Sequence, residues 1–456
     1  MYRKYKKPIT NVFPDVRVPE PKVSKLVLFI VRVLGRIYLF LFYGIARMGF
    51  KDGPVLFNAF KRALSGESRC IIAFRHPNGG EPQLLSWLFL FKLKRYAARA
   101  GIRLSRNPHA IFVYGYEVAR WGGGIVRFIM PNLGALPIHH SKIDRQGMNR
   151  IFKAITEGPF PLALAPEGQV SYTTDGVPRL EPGAIRIGFS AAERLAESKP
   201  GCSVEILPVS VYFRFGAWGK LTMEMLLKKI EKFSGFSQQD REGLSLTERI
   251  QKCRDYILEV NEEHYQIVSD TSLSFGERLD KVITAALETA ERMLGLKPEG
   301  EFFSRMYRIR QYCWDRIFLP DVESFEEMSQ IERNARDLQA GEAWYIGRHQ
   351  EIVDFCWYFR GPLPTEETAL HNKIEYVQNL WDFASRTMGG AYADRVSIFP
   401  RKVIVQASPV INLSARLPSY KKDRNAAIDT AMSDLEKAYL DCIDGANKTT
   451  SRIEGD

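Results

Sequence analysis

A histidine and a carboxylate stand close together in the stretch FRHPNGGEPQ, residues 74–83. His76 and Glu81 are separated by four residues, which include Gly79 and Gly80. A carboxylate that holds the proton on one ring nitrogen leaves the other nitrogen free to take a proton from a hydroxyl group. The two glycines let the backbone turn tightly enough for the side chains to meet. The spacing indicates a general base with its orienting carboxylate; an ordinary strand-to-helix loop, with Glu81 at a helix N-terminus, is the alternative.

A second group of polar residues follows the apolar run Leu162–Ala165. The turn Pro166–Glu167–Gly168 places a carboxylate at the end of this predicted strand. Further on, Pro182–Gly183 opens a helix, and a helix N-terminus is a suitable site for an anion or an oxygen atom. Open α/β sheets bind ligands at the carboxyl ends of their strands, where His76 also emerges. We therefore expect the two groups to meet at one edge; the alternative for Glu167 is an exposed turn glutamate.

Alternating strand-like and helix-like runs from Phe50 to about Phe236 must position these residues. The strand candidates are Cys70–Phe74, Ala110–Tyr114, Leu133–Ile138, Leu162–Ala165 and Val204–Phe213, and the helix candidates are Gln83–Ala100, Val118–Met130, Asp144–Glu157 and Pro182–Glu197. Long apolar strands are typical of sheets buried on both faces. The pattern predicts an α/β fold with a mixed, mainly parallel sheet flanked by helices.

The remaining sequence divides into segments of different character. From 237 the pattern is almost wholly helical, with a helix start at Ser245–Glu248, until a late strand with a turn at Arg401–Leu413 and a closing amphipathic helix at Arg424–Ile443. The predicted segments are a basic, Pro-rich tail (1–22), a membrane-interface helix (23–50), the α/β core (51–236), a helical region (237–393), the late strand and closing helix of the core (394–443) and a flexible tail (444–456).

The strongly apolar run Lys25–Arg47 indicates contact with a membrane. No small-residue cleavage site follows it, which argues against a signal peptide. At about 100° per residue, Lys25, Arg32, Arg36 and Arg47 fall within a sector of roughly 60°. Cations along one stripe, with apolar side chains elsewhere, are typical of a helix that lies in the membrane interface. A spanning helix of about 20 residues and a buried core helix are the alternatives.

Composition limits the classes of function. The 456 residues carry a formal net charge of +11, which favours anionic lipid, nucleic acid or an acidic carrier protein as a partner. Nucleic acid is disfavoured because no recognisable binding module accompanies the charge. The six cysteines form no CxxC pair, so no thiolate metal site is predicted, and a reducing, cytosolic exposure fits them best. Glycine-rich nucleotide loops are absent, and no metal or cofactor is indicated.

A run of cations follows the first motif. Its members are Lys92, Lys94, Arg95, Arg99, Arg103 and Arg106. Three anionic partners suit it: the phosphates of coenzyme A, an acidic carrier protein and the membrane surface. A solvated helix face, without a partner, is the plain alternative.

The order of the motifs resembles that of the glycerolipid acyltransferases, the family of 1-acyl-sn-glycerol-3-phosphate acyltransferases and their relatives. The resemblance rests on His76-x4-Glu81, on LGALPI at Leu133–Ile138, on Pro166–Glu167–Gly168 with Glu181–Pro182–Gly183, and on Leu207–Pro208–Val209. It covers about Arg69–Val211, and the strand in Arg401–Leu413 is similar to the family's late strand. The resemblance implies a glycerolipid acyltransferase-like core, into which the helical region is inserted.

The family implies a chemistry for these residues. The imidazole of His76, held by Glu81, would deprotonate an acceptor hydroxyl, which attacks the thioester of acyl-CoA or acyl-carrier protein without a cofactor or metal. Glu167 and Gly168 would bind the acceptor, with His140 and Arg145 beside them. The implied protein is a membrane-associated O-acyltransferase of phospholipid biosynthesis, at the cytoplasmic face, whose acceptor is a lysophosphatidate-type lysophospholipid.

Several positions depart from the family's pattern. Glu81 replaces an aspartate, His140 an arginine, Glu181 a lysine, and Gln169–Val170 replace Thr-Arg. Loss of three cations from one pocket weakens the binding of a phosphate dianion, at about 1.5–3 kcal/mol for each charged hydrogen bond. The open alternatives are an acceptor that is not a phosphomonoester, a non-catalytic lipid-binding relative, and a helical region that serves as a protein-interaction module.

Overall fold

The computed structural model describes residues 8–51, 53–139, 144–320, 322–388, 396 and 398–450. The described strands are β1 (Phe13–Pro14), β2 (Ile45–Lys51), β3 (Ser68–Phe74), β4 (Ile111–Gly115), β5 (Leu136–Ile138), β6 (Leu162–Leu164), β7 (Ser203–Phe215), β8 (Phe318–Leu319), β9 (Arg401–Ala407) and β10 (Ile411–Asn412). The longer helices of the first half are α1 (Lys25–Tyr43), α2 (Gly53–Ser65), α3 (Glu81–Trp87), α4 (Lys94–Arg99), α5 (Glu117–Trp121), α6 (Gly123–Asn132), α7 (Arg145–Thr156) and α8 (Gly183–Ser198). Those of the second half are α9 (Ala217–Phe233), α10 (Leu246–His264), α11 (Phe275–Leu294), α12 (Phe302–Ile317), α13 (Gln330–Tyr358), α14 (Leu370–Thr387), α15 (Leu417–Lys422) and α16 (Arg424–Thr450).

The chain forms two compact units. The α/β unit comprises Val18–His139, Ile143–Phe215 and Phe399–Asp456, and the helical unit comprises Gly216–Ile398 with the N-terminal segment up to Arg17. The helical unit therefore begins before the predicted residue 237, because α9 packs against α14. Residues 13–14 of the predicted basic, Pro-rich tail also belong to this unit, since β1 pairs with β8.

A mixed sheet of eight strands forms the centre of the α/β unit, in the order β2-β9-β7-β3-β6-β4-β5, with β10 beside β7. Of the seven pairings, five are parallel; only β9 and β10 run antiparallel to β7. Helices α1–α4 pack on one face of the sheet and α7, α8, α15 and α16 on the other. The prediction of a mixed, mainly parallel sheet flanked by helices is confirmed.

Most predicted elements of this unit exist with shifted ends. The helix predicted at Gln83–Ala100 starts two residues earlier, and its middle, Leu88–Leu93, is π-helical between α3 and α4. The helix predicted at Val118–Met130 is divided into α5 and α6 at the start of the glycine run 122–124. The closing helix α16 continues through the segment predicted to be a flexible tail, as far as Thr450.

Helix α1 is long and apolar enough to cross a membrane, but it ends earlier than predicted. Gly44 adopts a left-handed conformation, with φ of 65°, and terminates the helix at Tyr43. Arg47 therefore lies on β2, and the predicted four-cation stripe is wrong. Arg36 is also diverted from a lipid-facing role, because its guanidinium donates hydrogen bonds to the carbonyl oxygens of Ile45 (2.8 Å) and Ala46 (2.6 Å).

The helical unit consists of the six helices α9–α14 with the short β1–β8 pair. Two of its helices begin with a capping box: Ser245 and Glu248 at α10, Ser274 and Glu277 at α11. In each box the serine side chain accepts a hydrogen bond from the backbone N–H of the glutamate, and the glutamate carboxylate accepts one from the backbone N–H of the serine. These bonds satisfy donors that a helix start otherwise leaves unpaired. The helix start predicted at Ser245–Glu248 is confirmed.

Candidate active site

His76 and Glu81 form a hydrogen-bonded pair on the turn between β3 and α3. The Nδ1 atom of His76 donates to Oε2 of Glu81 over 2.6 Å, and the backbone N–H of Gly79 donates to the same oxygen over 2.8 Å. Gly79 has a φ of 94°, which favours glycine over any side-chain-bearing residue. The tight turn and the contact between His76 and Glu81 that the sequence predicts are therefore present. The contact fixes the imidazole with Nε2 pointing away from the carboxylate.

The two side chains differ in their access to solvent. The carboxylate of Glu81 is fully buried, whereas 17% of the His76 side chain is exposed. Oxygen Oε1 of Glu81 is buried without a hydrogen-bond partner among the described residues. The carboxylate thus interacts with the imidazole and one backbone amide, and the imidazole is the part of the pair that a substrate can reach.

The turn is held from outside by the end of α1 and by Arg401. A Cβ atom on Gly80 would lie 2.6 Å from Cδ1 of Tyr43, so the last residue of α1 packs directly on the turn. The buried Arg401 donates to the carbonyl oxygen of Tyr43 (2.9 Å) and to Oδ1 of Asn78 (2.8 Å). Because a guanidinium can only donate, this contact fixes the amide of Asn78 with its Nδ2 group directed elsewhere.

A buried ion pair lies next to the His76–Glu81 pair. The Nε atom of Arg75 donates to Oε1 of Glu167, and both side chains are almost completely buried. The Nη2 atom of Arg75 also donates to the carbonyl oxygens of Thr173 (3.0 Å) and Gly176 (2.6 Å). Burial alone lowers the pKa of the Arg75 guanidinium, but the Glu167 carboxylate outweighs this, and the pKa is raised overall. Arg75 therefore stays charged and holds the loop 167–176 in place.

This ion pair changes the role expected for Glu167. The sequence placed its carboxylate on the acceptor, but the structure turns it inward onto Arg75, which precedes His76. Neighbouring residues of an extended chain point to opposite sides, so Arg75 anchors the loop while His76, the next residue, faces Glu81. Sequence reasoning missed Arg75, because its partner lies 92 residues away and only the fold brings them together.

Four motifs, here called blocks, carry the family resemblance; in chain order they are His76–Glu81, Leu133–Ile138, Pro166–Gly168 with Glu181–Gly183, and Leu207–Val209. The first, third and fourth blocks meet around β3. The N–H of Ser171 donates to the carbonyl oxygen of His76 (3.0 Å), which joins the third block to the first. The N–H of Arg75 donates to the carbonyl oxygen of Val209 (2.9 Å), in the block Leu207–Pro208–Val209. The N–H of Glu181 donates to the carbonyl oxygen of Pro166 (2.6 Å), so the helix start of α8 adjoins the same turn. The expected meeting of the motifs at one sheet edge is thus observed.

The remaining predicted site residues are placed less closely. The second block forms the edge strand β5, and His140 lies outside the described residues. Arg145 is exposed in the first turn of α7, and no described contact joins it to His76 or Glu167. Gly168 has a φ of 73° and completes the turn after Glu167, where its N–H donates to the carbonyl oxygen of Ala165 (3.2 Å).

Within the described ranges, no group of histidine, cysteine, aspartate and glutamate side chains is arranged to hold a metal ion. His109 is fully buried and donates from Nε2 to the carbonyl oxygen of Leu133 (2.8 Å). Burial lowers the pKa of its imidazole to about 4. This histidine is a neutral hydrogen-bond donor of the core, in contrast to the partly exposed His76.

The chain matches no protein-family model, and no curated protein is significantly similar to it in sequence. The function must therefore be inferred from the residues of the site and their geometry. That geometry combines an oriented, accessible imidazole with a second, buried ion pair that anchors the neighbouring loop.

Proposed function

We propose that the chain is a membrane-associated O-acyltransferase, which transfers a fatty acyl group from acyl-CoA or acyl-carrier protein to a lipid hydroxyl. The observation that carries this proposal is the 2.6 Å hydrogen bond between Nδ1 of His76 and Oε2 of Glu81. It orients the imidazole as general bases are oriented in acyl-transfer enzymes. The order of the four sequence blocks, which resembles the glycerolipid acyltransferases, supplies the class of substrate.

The reaction follows from this orientation. Nε2 of His76 takes the proton of the acceptor hydroxyl while the oxygen attacks the thioester carbonyl, and a tetrahedral oxyanion forms. The C–S bond then breaks, and the imidazolium returns the proton to the leaving thiolate, so that the base is regenerated. The buried carboxylate of Glu81 stabilises the imidazolium between the two steps, because the charges attract strongly in a poorly solvated site. No acyl-enzyme is needed.

Asn78 supplies a donor for the oxyanion in this proposal. Arg401 occupies its Oδ1 atom, which leaves the Nδ2 group to donate elsewhere, and Asn78 is only half-buried. A preorganised amide donor on the same turn as the base is suited to a negative charge that develops at the carbonyl oxygen. The buried Arg401 thereby acts as a positioning residue for Asn78.

The acceptor that we propose is a lysophosphatidate-type lipid of phospholipid biosynthesis, in line with the family resemblance. Glu167 supports the acceptor only indirectly, since its carboxylate is held by Arg75. An acceptor without a phosphomonoester is the competing proposal, and it is favoured by the loss of the family's cationic positions. The six cysteines are buried and free, which fits a protein that works at the cytoplasmic face.

Membrane association is proposed through α1. Leu26, Leu41 and Phe42 are each more than 65% exposed on this helix, whereas Val27, Leu28 and Leu39 face the protein. A Cβ atom on Gly35 would lie 2.6 Å from Cδ1 of Trp87, so the helix packs along α3. A helix that is packed on one side and apolar on the other suits a position in the plane of the interface.

An acceptor panel tests the proposed function. Purified protein receives radiolabelled acyl-CoA or acyl-carrier protein with lysophosphatidate, glycerol 3-phosphate, other lysophospholipids or neutral alcohols. Transfer to lysophosphatidate above the other acceptors supports the proposal in full. Transfer that favours a neutral alcohol or a phosphodiester would select the competing acceptor. If the protein binds lipid but transfers the acyl group to no acceptor, it is a non-catalytic lipid-binding protein.

A further inference from the structure

Two stretches of the α/β unit contain no acidic residue at all. Residues 21–51 include α1, and residues 82–116 include α4 and the loop after it. Each stretch carries six lysines and arginines without one aspartate or glutamate. The net charge of +11 alone does not explain why both stretches lack acidic residues, because the chain has 53 of them. Segregated positive charge is typical of a surface that meets an anionic partner.

The fold places the two stretches side by side. Nε1 of Trp87 donates to the carbonyl oxygen of Arg32 (3.2 Å), and Gly35 allows α1 to approach the same indole ring. Burial and the nearby Arg32 guanidinium both lower the pKa of the Lys94 ammonium. Two cations held near each other repel, and an anionic partner would relieve this repulsion.

The residues beyond Lys94 carry the exposed charge. We call Arg95, Arg99, Arg103 and Arg106 the basic strip; all four are exposed. Arg95 and Arg99 are one helical turn apart on α4, and Lys94 fixes the following loop through its hydrogen bond to Oδ1 of Asn107 (2.6 Å). The basic strip is thus presented on an ordered helix and its anchored loop.

The apolar part of the same region is also exposed. On α1 the exposed side chains are Leu26, Phe29, Ile30, Val33, Leu34, Ile37, Tyr38, Phe40, Leu41 and Phe42. A continuous apolar helix face beside a row of cations matches the two layers of a bilayer interface, acyl chains and anionic headgroups. The phosphates of coenzyme A or an acidic carrier protein would account for the cations but would leave the apolar face in water.

We propose that α1 and the basic strip form one surface that docks on an anionic lipid bilayer, with the apolar side chains in the acyl region and the arginines on the headgroups. The purpose of this docking rests on the proposed function. Tyr43, at the end of α1, packs on Gly80 in the turn of His76, so docking brings that turn to the lipid surface. The same anionic lipids then surround the acceptor before it reaches the imidazole.

Vesicle binding tests this surface with matched variants. The full-length protein is titrated with vesicles of phosphatidylcholine mixed with phosphatidylglycerol, and with vesicles of phosphatidylcholine alone, and the bound fraction is measured by flotation. The triple variant Arg95→Gln/Arg99→Gln/Arg103→Gln is compared with Lys421→Gln/Lys422→Gln/Lys437→Gln, whose exposed lysines lie on α15 and α16 over the opposite sheet face. Both variants lose the same charge.

Each arginine at an anionic surface contributes about fivefold to binding, so the arginine variant should bind the mixed vesicles about 100-fold more weakly. The lysine variant should change binding by no more than about twofold, because its charges lie beyond the screening length. A second variant, Leu41→Ser/Phe42→Ser, should weaken binding to both kinds of vesicle. Its side chains are exposed, so it should fold normally.

Equal binding by the arginine variant and the wild type would overturn the proposal. Loss of coenzyme A or carrier-protein binding in that variant, with vesicle binding retained, would assign the basic strip to the donor and would also overturn it. No substrate is present in the flotation experiment. The docking surface can therefore be confirmed even if the acceptor panel reveals no acyl transfer, and the two proposals fail separately.

Discussion

Three buried carboxylates, Glu231 and Glu291 in the helical unit and Glu81 in the α/β unit, are paired in different ways. In the helical unit, both oxygens of Glu231 accept from arginines, Arg241 and Arg249, and both oxygens of Glu291 accept from Arg305 and Arg308. In the α/β unit, Glu81 has a histidine and one backbone amide on one oxygen, and its other oxygen is buried without a partner. Full pairing serves stability, whereas an incompletely paired carboxylate beside an accessible imidazole is the arrangement that the proposed catalysis requires.

The Arg75–Glu167 pair lies between these two cases. It is more deeply buried than those pairs of the helical unit, whose arginines are partly exposed, yet one oxygen of Glu167 has no partner among the described residues. Its arginine holds the loop that follows Glu167 through two backbone carbonyls. The α/β unit thus carries a stabilising ion pair and the proposed catalytic pair on consecutive residues, Arg75 and His76.

The sharpest test of this difference compares Glu81→Gln with Glu291→Gln. Glu81→Gln should lower kcat for acyl transfer by about 1000-fold, because a neutral amide no longer stabilises the imidazolium. Its free energy of unfolding should change little, since the substitution removes a buried charge that is incompletely paired. The measurements are initial rates and urea unfolding.

Glu291→Gln should show the opposite result. It leaves Arg305 and Arg308 without their carboxylate, and it should lower the free energy of unfolding by about 1–3 kcal/mol, a value reduced by the partial exposure of both guanidinium groups. Transfer should be unaffected at a temperature where the variant is folded. If Glu81→Gln is destabilised as much as Glu291→Gln and is fully active, Glu81 is a structural residue. The proposed difference between the two carboxylates would then be wrong.

A smaller effect is expected at Asn78. Asn78→Ala removes the proposed oxyanion donor and should lower kcat by about 100-fold with little change in KM, because the donor acts on the transition state. Asn334→Ala, at an exposed position of α13, is the matched control and should leave kinetics unchanged. A rise in KM alone would show that Asn78 binds the ground state and does not stabilise the oxyanion.

The smallest expected effect concerns buried histidines with a lowered pKa, which occur in both units. Burial lowers the pKa of His109 in the α/β unit, and of His349 in the helical unit, to about 4. Below its ordinary pKa the unfolded chain binds a proton that the folded chain does not, so stability falls as the pH drops from about 6.5 to 4. His109→Gln should remove about 2 kcal/mol of this acid-induced loss.

Urea unfolding at a series of pH values measures that loss for the wild type and for His109→Gln. The variant should have the flatter profile, and its acyl transfer at neutral pH should be preserved. An identical slope in both proteins would mean that His109 titrates normally and is not held neutral by burial.

Local patterns in the sequence were sufficient for much of the α/β unit. Apolar runs between turn residues located β3, β6 and β7, and the Gly79–Gly80 pair predicted the contact of His76 with Glu81. The end of α1 was misjudged because the apolar pattern continues through Ile45–Ala46, and only the left-handed Gly44 stops the helix. The ion pair of Arg75 with Glu167 could not be predicted, since no local spacing links two side chains that follow different strands, β3 and β6.

The most direct test of the central claim, that His76 is the general base of an acyl transfer, is the initial rate of the purified His76→Ala variant with radiolabelled acyl donor and the best acceptor of the panel. We expect a rate about 10⁴-fold below that of the wild type. Binding to vesicles should be unchanged, and the free energy of unfolding in urea should fall by about 1–3 kcal/mol, because the buried Glu81 carboxylate loses its imidazole partner. Transfer within about tenfold of the wild type would show that catalysis does not depend on this imidazole.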